Sequence, residues 1–275
     1  MNPKTIQIFL PDGSARSIRI AEITSRIVKL ILVPRNKILE AQKREELKGV
    51  GVYFLFGEND AKAKPLVYIG EAEDCYQRLK QHNKTKDFWN TAIVVVSQTN
   101  NFTKSHVKYL ESYCYEKAKE IERYEIENSS IPTKPFITES MEADLMDNFE
   151  TIKVLLSTLG FPIFESVTKE EFKEVFICKG KQVYAEGDYI DDGFVVFKGS
   201  KTNLKESKTA GSWVINMRKK LIDDGVLILQ DDVYVFTSDY VFGSPSAAAA
   251  SVLSRRANGW KEWKNKDGKT LDKLK

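Results

Sequence analysis

Two short segments near the start of the chain, residues 5–10 (TIQIFL) and 16–23 (RSIRIAEI), alternate apolar and polar positions around PDGSA. Alternation with a period of two marks a half-buried strand, and Pro-Asp-Gly favours a tight reversal, so the pair predicts a β-hairpin. Asn36 then caps a helix expected through Lys48, where Gly49 and Gly51 end it. The aromatic-rich runs GVYFLF (51–56) and PLVYIG (65–70) read as adjacent antiparallel strands, joined by a flexible loop, ENDAKAK. Residues 72–83 predict a helix with Cys75 and Leu79 on its buried side and Tyr76 beside them. TAIVVVSQ (91–98) is strongly β-branched and predicts a third, central strand. Thr103 or Ser105 opens a long helix through Tyr124. In it Val107, Leu110, Cys114, Ala118 and Ile121 recur at three- and four-residue steps as one core stripe.

ENSSIPTKPFI (127–137), with its two prolines, marks a boundary. The next segment, 139–150, holds five acids and no base, and leads into an amphipathic helix. Its apolar face carries Leu145, Phe149, Ile152, Leu156 and Leu159, and Gly160 and Pro162 stop it. From about residue 172 the pattern turns to strands: FKEVFICKG, KQVYAEGDYI and DGFVVFKGS, broken by glycines. TAGSWVINMRKKLIDDG predicts a helix ending at Gly225, and VLILQDDVYVFTSDYVF a second hairpin turned at Gln230-Asp231-Asp232. SPSAAAASVLSRRANG predicts a Ser-capped helix before the final WKEWKNKDGKTLDKLK.

The expected organisation is therefore residues 1–48 as hairpin and helix, 49–130 as a β-β-α-β-α domain, 131–171 as linker and amphipathic helix, and 172–275 as a C-terminal domain. The fold class is α+β: a small three-stranded antiparallel sheet flanked by helices, preceded by a hairpin and helix, with a separate C-terminal α+β domain.

Composition adds exclusions. With 42% hydrophobic and 29% charged residues over 275 positions, the chain is ordinary globular material and not a disordered polymer. The net charge of +3 names no partner, but it conceals an asymmetry between the acidic 139–150 segment and a basic tail. From Leu253 to Lys275 eight basic side chains face three acidic ones. Cys75, Cys114 and Cys178 are scattered and odd in number, which argues against a disulfide framework and a cysteine zinc site. No signal-peptide pattern opens the chain, and no apolar stretch reaches the ~18 residues of a membrane span. A cytoplasmic protein with no membrane partner is expected.

The chemistry concentrates in residues 51–111. Tyr53 and Tyr68 occupy neighbouring strands and can present both phenols to one sheet face. Arg78 and His82 stand four residues apart on the following helix and share a face. Glu111 lies one residue beyond core Leu110, at the edge of the buried stripe. Such a set suits attack on an anionic ester. The carboxylate can hold a hard divalent cation, the guanidinium can pair with a phosphate, and Tyr or His can handle protons. A single well-placed carboxylate does not indicate a two-metal site. An unperturbed phenol of pKa about 10 is roughly 0.1% ionised at pH 7. Tyr53 as a base therefore requires a lowered pKa; otherwise it only positions water.

GVY (51–53), YIG (68–70), Arg78, His82 and Glu111, in this order and spacing, resemble the GIY-YIG nuclease superfamily over about residues 49–130. The resemblance implies three antiparallel strands flanked by helices and hydrolysis of phosphodiester bonds with Mg²⁺ or Mn²⁺. It makes Tyr53 the base or water-positioning phenol and Tyr68 its orienting, phosphate-contacting neighbour. Arg78 becomes the stabiliser of transition-state charge, His82 an aid to proton transfer, and Glu111 the metal ligand. Gly70 permits close backbone approach, and Asn128 is the candidate for the asparagine that the family often adds after the Glu helix. Val52 replaces the signature isoleucine, and the Tyr53–Tyr68 separation exceeds the family's usual one.

About residues 190–271 resemble an uncharacterised module appended to such nucleases and to restriction and adenine-methylation enzymes, which implies nucleic-acid contact and no catalysis. Ser244 and Ser246 place hydroxyls at a helix N-terminus. Arg255, Arg256, Lys261 and Lys264 offer charge, and Trp260 and Trp263 either stack on bases or close a small core. The expected function is a metal-dependent endonuclease acting on DNA. The competing readings are a catalytically inactive nucleic-acid reader and a scaffold protein that keeps the nuclease fold.

Overall fold

The computed structural model of the protein describes residues 3–167, 174–180 and 183–274. These divide into two compact units, one of the described residues up to 59 together with 64–165, the other of 60–63 together with those from 166 onward.

The first unit is built on a seven-stranded sheet. Its strands are β1 (Ile6–Phe9), β2 (Arg19–Ile23), β3 (Val28–Pro34), β4 (Gly51–Gly57), β5 (Leu66–Ala72), β6 (Trp89–Ser97) and β7 (Glu125–Ile126), in the order β1-β2-β3-β6-β4-β5-β7. All neighbours are antiparallel except β5 and β7. The three expected strands lie side by side in the order β6-β4-β5, between β3 and the short β7, and the expected N-terminal hairpin is β1–β2. The hairpin does not stand apart from them. β3, an apolar run that period-two alternation does not mark, pairs with β6 over seven residues and joins the hairpin to the same sheet.

Helices cover both faces, so the central strands are buried on both sides. Val52, Phe54, Phe56, Val67, Ile69, Ile93 and Val95 pack beneath α3 (Lys104–Ile121) and α4 (Glu139–Thr158). On the opposite face Tyr53, Leu55, Ala92, Val94 and Val96 pack with α1 (Ile38–Ala41) and α2 (Cys75–Thr85). Alternation along β4 thus sends Tyr53 toward α2 and its neighbours toward α3.

The helix expected from Asn36 through Lys48 is interrupted. A 3₁₀ turn at Arg35–Lys37, the short α1, an extended Arg44 and a second 3₁₀ turn at Glu45–Lys48 replace it, so Asn36 is not a cap. After Ala41 the next buried apolar residue is Leu47, off the face that Ile38 and Ala41 define, so no continuous stripe sustains the helix. The long α3 starts at Thr103, whose hydroxyl accepts the His106 N–H while the His106 side chain accepts the Thr103 N–H.

The second unit is a separate sheet with helices on it. Its strands are β8 (Phe176–Lys179), β9 (Tyr184–Ile190), β10 (Gly193–Val196), β11 (Lys201–Asn203), β12 (Leu227–Gln230), β13 (Val233–Phe236) and β14 (Tyr240–Phe242). The order is β12-β13-β11-β9-β10-β14, with β8 on β9. Its helices include α5 (Ser212–Asp223), α6 (Pro245–Leu253) and α7 (Gly259–Glu262). The expected hairpin is β12–β13, turned at Asp231 with φ +55°, a conformation aspartate tolerates. The starts of two expected strands, at 172–173 and 181–182, and the expected boundary at 171/172 lie outside the described residues. All three cysteines are free and buried.

A buried arginine ties this unit together. Arg218 on α5 is fully enclosed and pairs with Glu206 at 3.1 Å. Its two terminal nitrogens donate to Thr202 Oγ1 at 2.6 Å, to the Ser251 carbonyl at 2.7 Å and to the Asn203 carbonyl at 2.7 Å. One planar fork thereby satisfies acceptors on β11 and α6, a geometry that an ammonium cannot reproduce. Arg218→Met should therefore cost the second unit about 3 kcal/mol in denaturant unfolding, with Arg218→Lys recovering little of it. Unchanged stability of the methionine variant would show that the fork is dispensable.

Candidate active site

Tyr53 lies in the middle of the α2 face, fully buried, and three side chains gather around its hydroxyl. Tyr53 Oη stands 2.8 Å from His82 Nε2, and Arg78 Nε donates to the same oxygen at 3.2 Å. The i,i+4 spacing of Arg78 and His82 on α2 brings both to one phenol, as expected from the helical period. The Tyr68 ring packs 6.1 Å from that of Tyr53 and 5.1 Å from the His82 imidazole.

Burial governs the protonation states. Desolvation, followed by the neighbouring Tyr68, pushes the Tyr53 phenol far above its ordinary pKa despite Arg78. A phenolate at Tyr53 is therefore not populated near neutrality, and the site does not lower this pKa. Desolvation, then the positive charges of Arg78 and Lys86, depress His82 to about 4, so its imidazole is neutral at pH 7.

Gly70 is the cross-strand partner of Tyr53. A β-carbon at Gly70 would fall 2.3 Å from Tyr53 Oη and 2.5 Å from its Cζ, so the phenol lies directly over the glycine. The close approach anticipated at Gly70 is made by Tyr53 itself.

The outer edge of β5 carries the remaining residues. Glu127 N–H donates to the Val67 carbonyl at 2.8 Å, beside the short β7 ladder. Next, the Asn128 carboxamide accepts from Ile69 N–H at 3.0 Å and donates to the Ile69 carbonyl at 2.7 Å. Asn128 thus acts as one more rung on the strand edge, with both its oxygen and its nitrogen engaged by backbone. Beyond it, the Glu111 carboxyl from α3 lies close enough to Glu71 for that residue's charge to act on it. Glu111 is half-buried, and its pKa rises to about 7, chiefly through desolvation and then through the charge of Glu71; Lys108 and Arg78 offset part of this. The structure therefore brings Tyr53, Tyr68, Gly70, Arg78 and His82 together on the α2 face of β4 and β5. Glu111 from α3 stands near enough for the charges of Glu71 and Arg78 to act on its carboxyl.

Two residues of the cluster are not singled out by sequence reasoning. Glu71 directly follows YIG, and strand alternation turns it away from Tyr68 and toward the α3 side. Lys86, just past the end of α2, places its ammonium 4.4 Å from the centroid of the Tyr68 ring. Only its sequence distance from His82 could have hinted at it.

The second unit assigns different work to several candidates. Ser244 Oγ caps α6 by accepting Ala247 N–H at 3.2 Å, and Ser246 Oγ accepts Gly259 N–H at 3.1 Å. Arg255 pairs with Glu262 at 2.7 Å. Trp263 is fully buried, stacks on Phe194 at 4.3 Å and donates Nε1–H to the Pro245 carbonyl, so it closes the core and offers no stacking surface. Trp260 is half-buried against Tyr189. Arg256, Lys261 and Lys264 are exposed, and among the described residues they form no ion pair.

Comparison with known protein families accounts for both regions. Residues 50–133 match the GIY-YIG catalytic domain, and residues 176–275 match a domain of unknown function, DUF4357. No curated protein and no solved structure matches the chain. No helix among the described residues is long and apolar enough to cross a membrane. A phenol–imidazole–guanidinium cluster beside a carboxylate, on strands bearing GVY and YIG, is thus accompanied by a match of the same segment to a known family: the chain carries a GIY-YIG domain of the nuclease family, followed by a C-terminal DUF4357 domain.

Proposed function

We propose that the protein is a divalent-metal-dependent endonuclease that hydrolyses phosphodiester bonds in DNA. The observation that carries this reading is the hydrogen-bonded triad Arg78–Tyr53–His82 with Glu111 at the adjoining strand edge. Arg78 Nε–H donates to Tyr53 Oη, which leaves the phenol proton for His82 Nε2. In this arrangement the Tyr53 hydroxyl orients the attacking water, and the neutral imidazole takes the phenol proton as the phenol takes that of water. The exposed side of the Arg78 guanidinium neutralises charge on the phosphoryl oxygens. Tyr68 packs against both rings and fixes their angle.

The donor set fits a hard cation. Glu111 and the neighbouring Glu71 supply carboxylate oxygens, the ligand type that suits Mg²⁺ or Mn²⁺. Among the described residues no group of three or more His, Cys, Asp or Glu converges. Magnesium characteristically uses one or two carboxylates and takes its other ligands from phosphate and water, so this sparse set is adequate. When bound, the ion supplies Lewis-acid stabilisation of the phosphoryl oxygens. Arg256, Lys261 and Lys264 offer a second set of phosphate contacts from the DUF4357 domain.

The test is incubation of the purified protein with supercoiled plasmid, linear duplex and RNA, each with Mg²⁺, Mn²⁺ or EDTA. Nicked or linearised plasmid in the metal lanes and none in EDTA is the expected result. Binding without cleavage under every metal condition would favour an inactive reader.

The raised pKa of Glu111 sets a pH dependence. Below about pH 7 a proton occupies the carboxyl and competes with the cation. With metal held below saturation, cleavage should rise about tenfold per pH unit up to about 7 and level off above it. Added metal should move the inflection to lower pH. An inflection insensitive to metal concentration would assign it to another group.

A further inference from the structure

We propose that Lys86 is a second substrate-binding cation of this site, gripping a backbone phosphate of the bound strand on the Tyr68 side of the cluster. This rests on the nuclease reading above and adds to it a residue outside the recognised signature.

Four observations carry it. The Lys86 ammonium lies over the Tyr68 ring, 4.4 Å from its centroid, which places it against the phenol–imidazole cluster rather than in open solvent. Lys86 is half-buried, yet among the described residues it has no carboxylate partner. The adjacent acid, Asp87, is fully exposed and faces Arg35 at 3.5 Å. Finally, the positive charge of Lys86 acts on His82, as does that of Arg78, and the Tyr68 ring under Lys86 packs 5.1 Å from the His82 imidazole. A cation over an aromatic face gains only about 0.5–2 kcal/mol and leaves its charge uncompensated. An anion entering the site would complete that compensation.

The segment bearing Lys86 is held rigidly. Lys86 N–H donates to the His82 carbonyl at 2.9 Å. Arg35 reaches across the segment, donating to Asn83 Oδ1 at 2.9 Å, to the Asp87 carbonyl at 2.9 Å and to the Trp89 carbonyl at 3.1 Å. A lysine fixed by its backbone on both sides loses little freedom on binding a phosphate. Arg78 meets the cluster at the Tyr53 hydroxyl and Lys86 at the Tyr68 ring, so the two cations serve different phosphates of one strand: Arg78 the scissile one and Lys86 a neighbour.

The experiment measures both binding and cleavage in the full-length protein. A short fluorescent DNA duplex is titrated by anisotropy across a series of salt concentrations, with Glu111→Gln as the background so that no cutting intervenes. Lys86→Met, which keeps an apolar stem over Tyr68, should weaken binding several-fold and lower the log–log salt slope by about 0.9. Lys86→Arg should restore the slope. In the active protein, Lys86→Met should raise KM while leaving kcat within a few-fold. Loss of an aromatic contact alone would change thermal stability without changing the salt slope, so an unchanged slope and KM would overturn the assignment. If the parent cuts DNA and the slope is unchanged, Lys86 alone is misassigned. If the slope falls as expected but no metal supports cutting, the nuclease reading fails and the phosphate contact stands. Absence of any DNA binding by the parent would overturn both.

Discussion

Replacing Glu111 with glutamine should yield a protein that no longer cuts and yet is more stable than the parent at pH 8. Glu111 is half-buried beside Glu71, and its pKa is lifted from 4.5 to about 7. A carboxyl whose folded pKa exceeds its unfolded value opposes folding wherever it must be ionised. The penalty is complete above about pH 7 and fades as pH falls toward 4.5. Two and a half pH units correspond to roughly 3 kcal/mol as a ceiling, and residual solvent contact reduces it to about 1–2 kcal/mol. Glutamine removes the charge at nearly the same side-chain volume. A melting temperature higher by several degrees at pH 8, converging with the parent at pH 5, is the expected signature. Cleavage should fall at least a thousandfold, because the amide is a poor ligand for a hard cation. DNA affinity, resting on lysines and arginines, should change little. A destabilised glutamine variant at pH 8 would show that Glu111 is not held at an electrostatic cost. Normal cutting at saturating Mg²⁺ would remove it from metal binding.

That cost is invisible in the sequence, whereas the residue itself is not. Glu111 is legible because it sits beside Leu110 on a regular amphipathic stripe, and helical period places it at the margin of burial. What surrounds it depends on pairing across the sheet. Glu71 alternates away from Tyr68 and meets α3 only because β5 lies near the sheet edge. Arg78 and His82 are legible for the same local reason as Glu111: one helix sets their common face. The apolar run Leu30–Val33 within β3 gives no phase to a period-two reading, since a strand covered on both faces has no polar side. Trp263 could stack or pack on sequence grounds, and only the presence of Phe194 and the Pro245 carbonyl decides for packing. The interrupted helix after Asn36 shows the complementary failure: residues with helical propensity but no apolar stripe lack a face to bury.

A single methyl group at Gly70 should abolish most of the activity, by about a thousandfold in kcat. Glycine is not needed there for its backbone freedom, because Gly70 is absent from the positive-φ residues. It is needed because the Tyr53 ring crosses it: the new carbon would fall 2.3 Å from Oη and 2.5 Å from Cζ. Neither neighbour can yield cheaply. Tyr53 is fully buried, is held by His82 at 2.8 Å and Arg78 at 3.2 Å, and stacks on Tyr68. The backbone of β5 is fixed on one side by β4 and on the other by Asn128. The alanine variant must therefore shift the phenol or strain the sheet. Overpacking of this kind costs about 1–3 kcal/mol of stability, and a displacement of ~1 Å in a positioning group already costs about a hundredfold in rate. Loss of the Tyr53–His82 bond removes the proton path as well, which is worth a further factor of ten or more. A double-mutant cycle separates the contributions. In a Tyr53→Leu background, where neither Oη nor Cζ remains, Gly70→Ala should destabilise far less than in the parent and should reduce the residual activity little further. Parental cleavage rates for Gly70→Ala alone would mean that the phenol's place over β5 is not what positions the water.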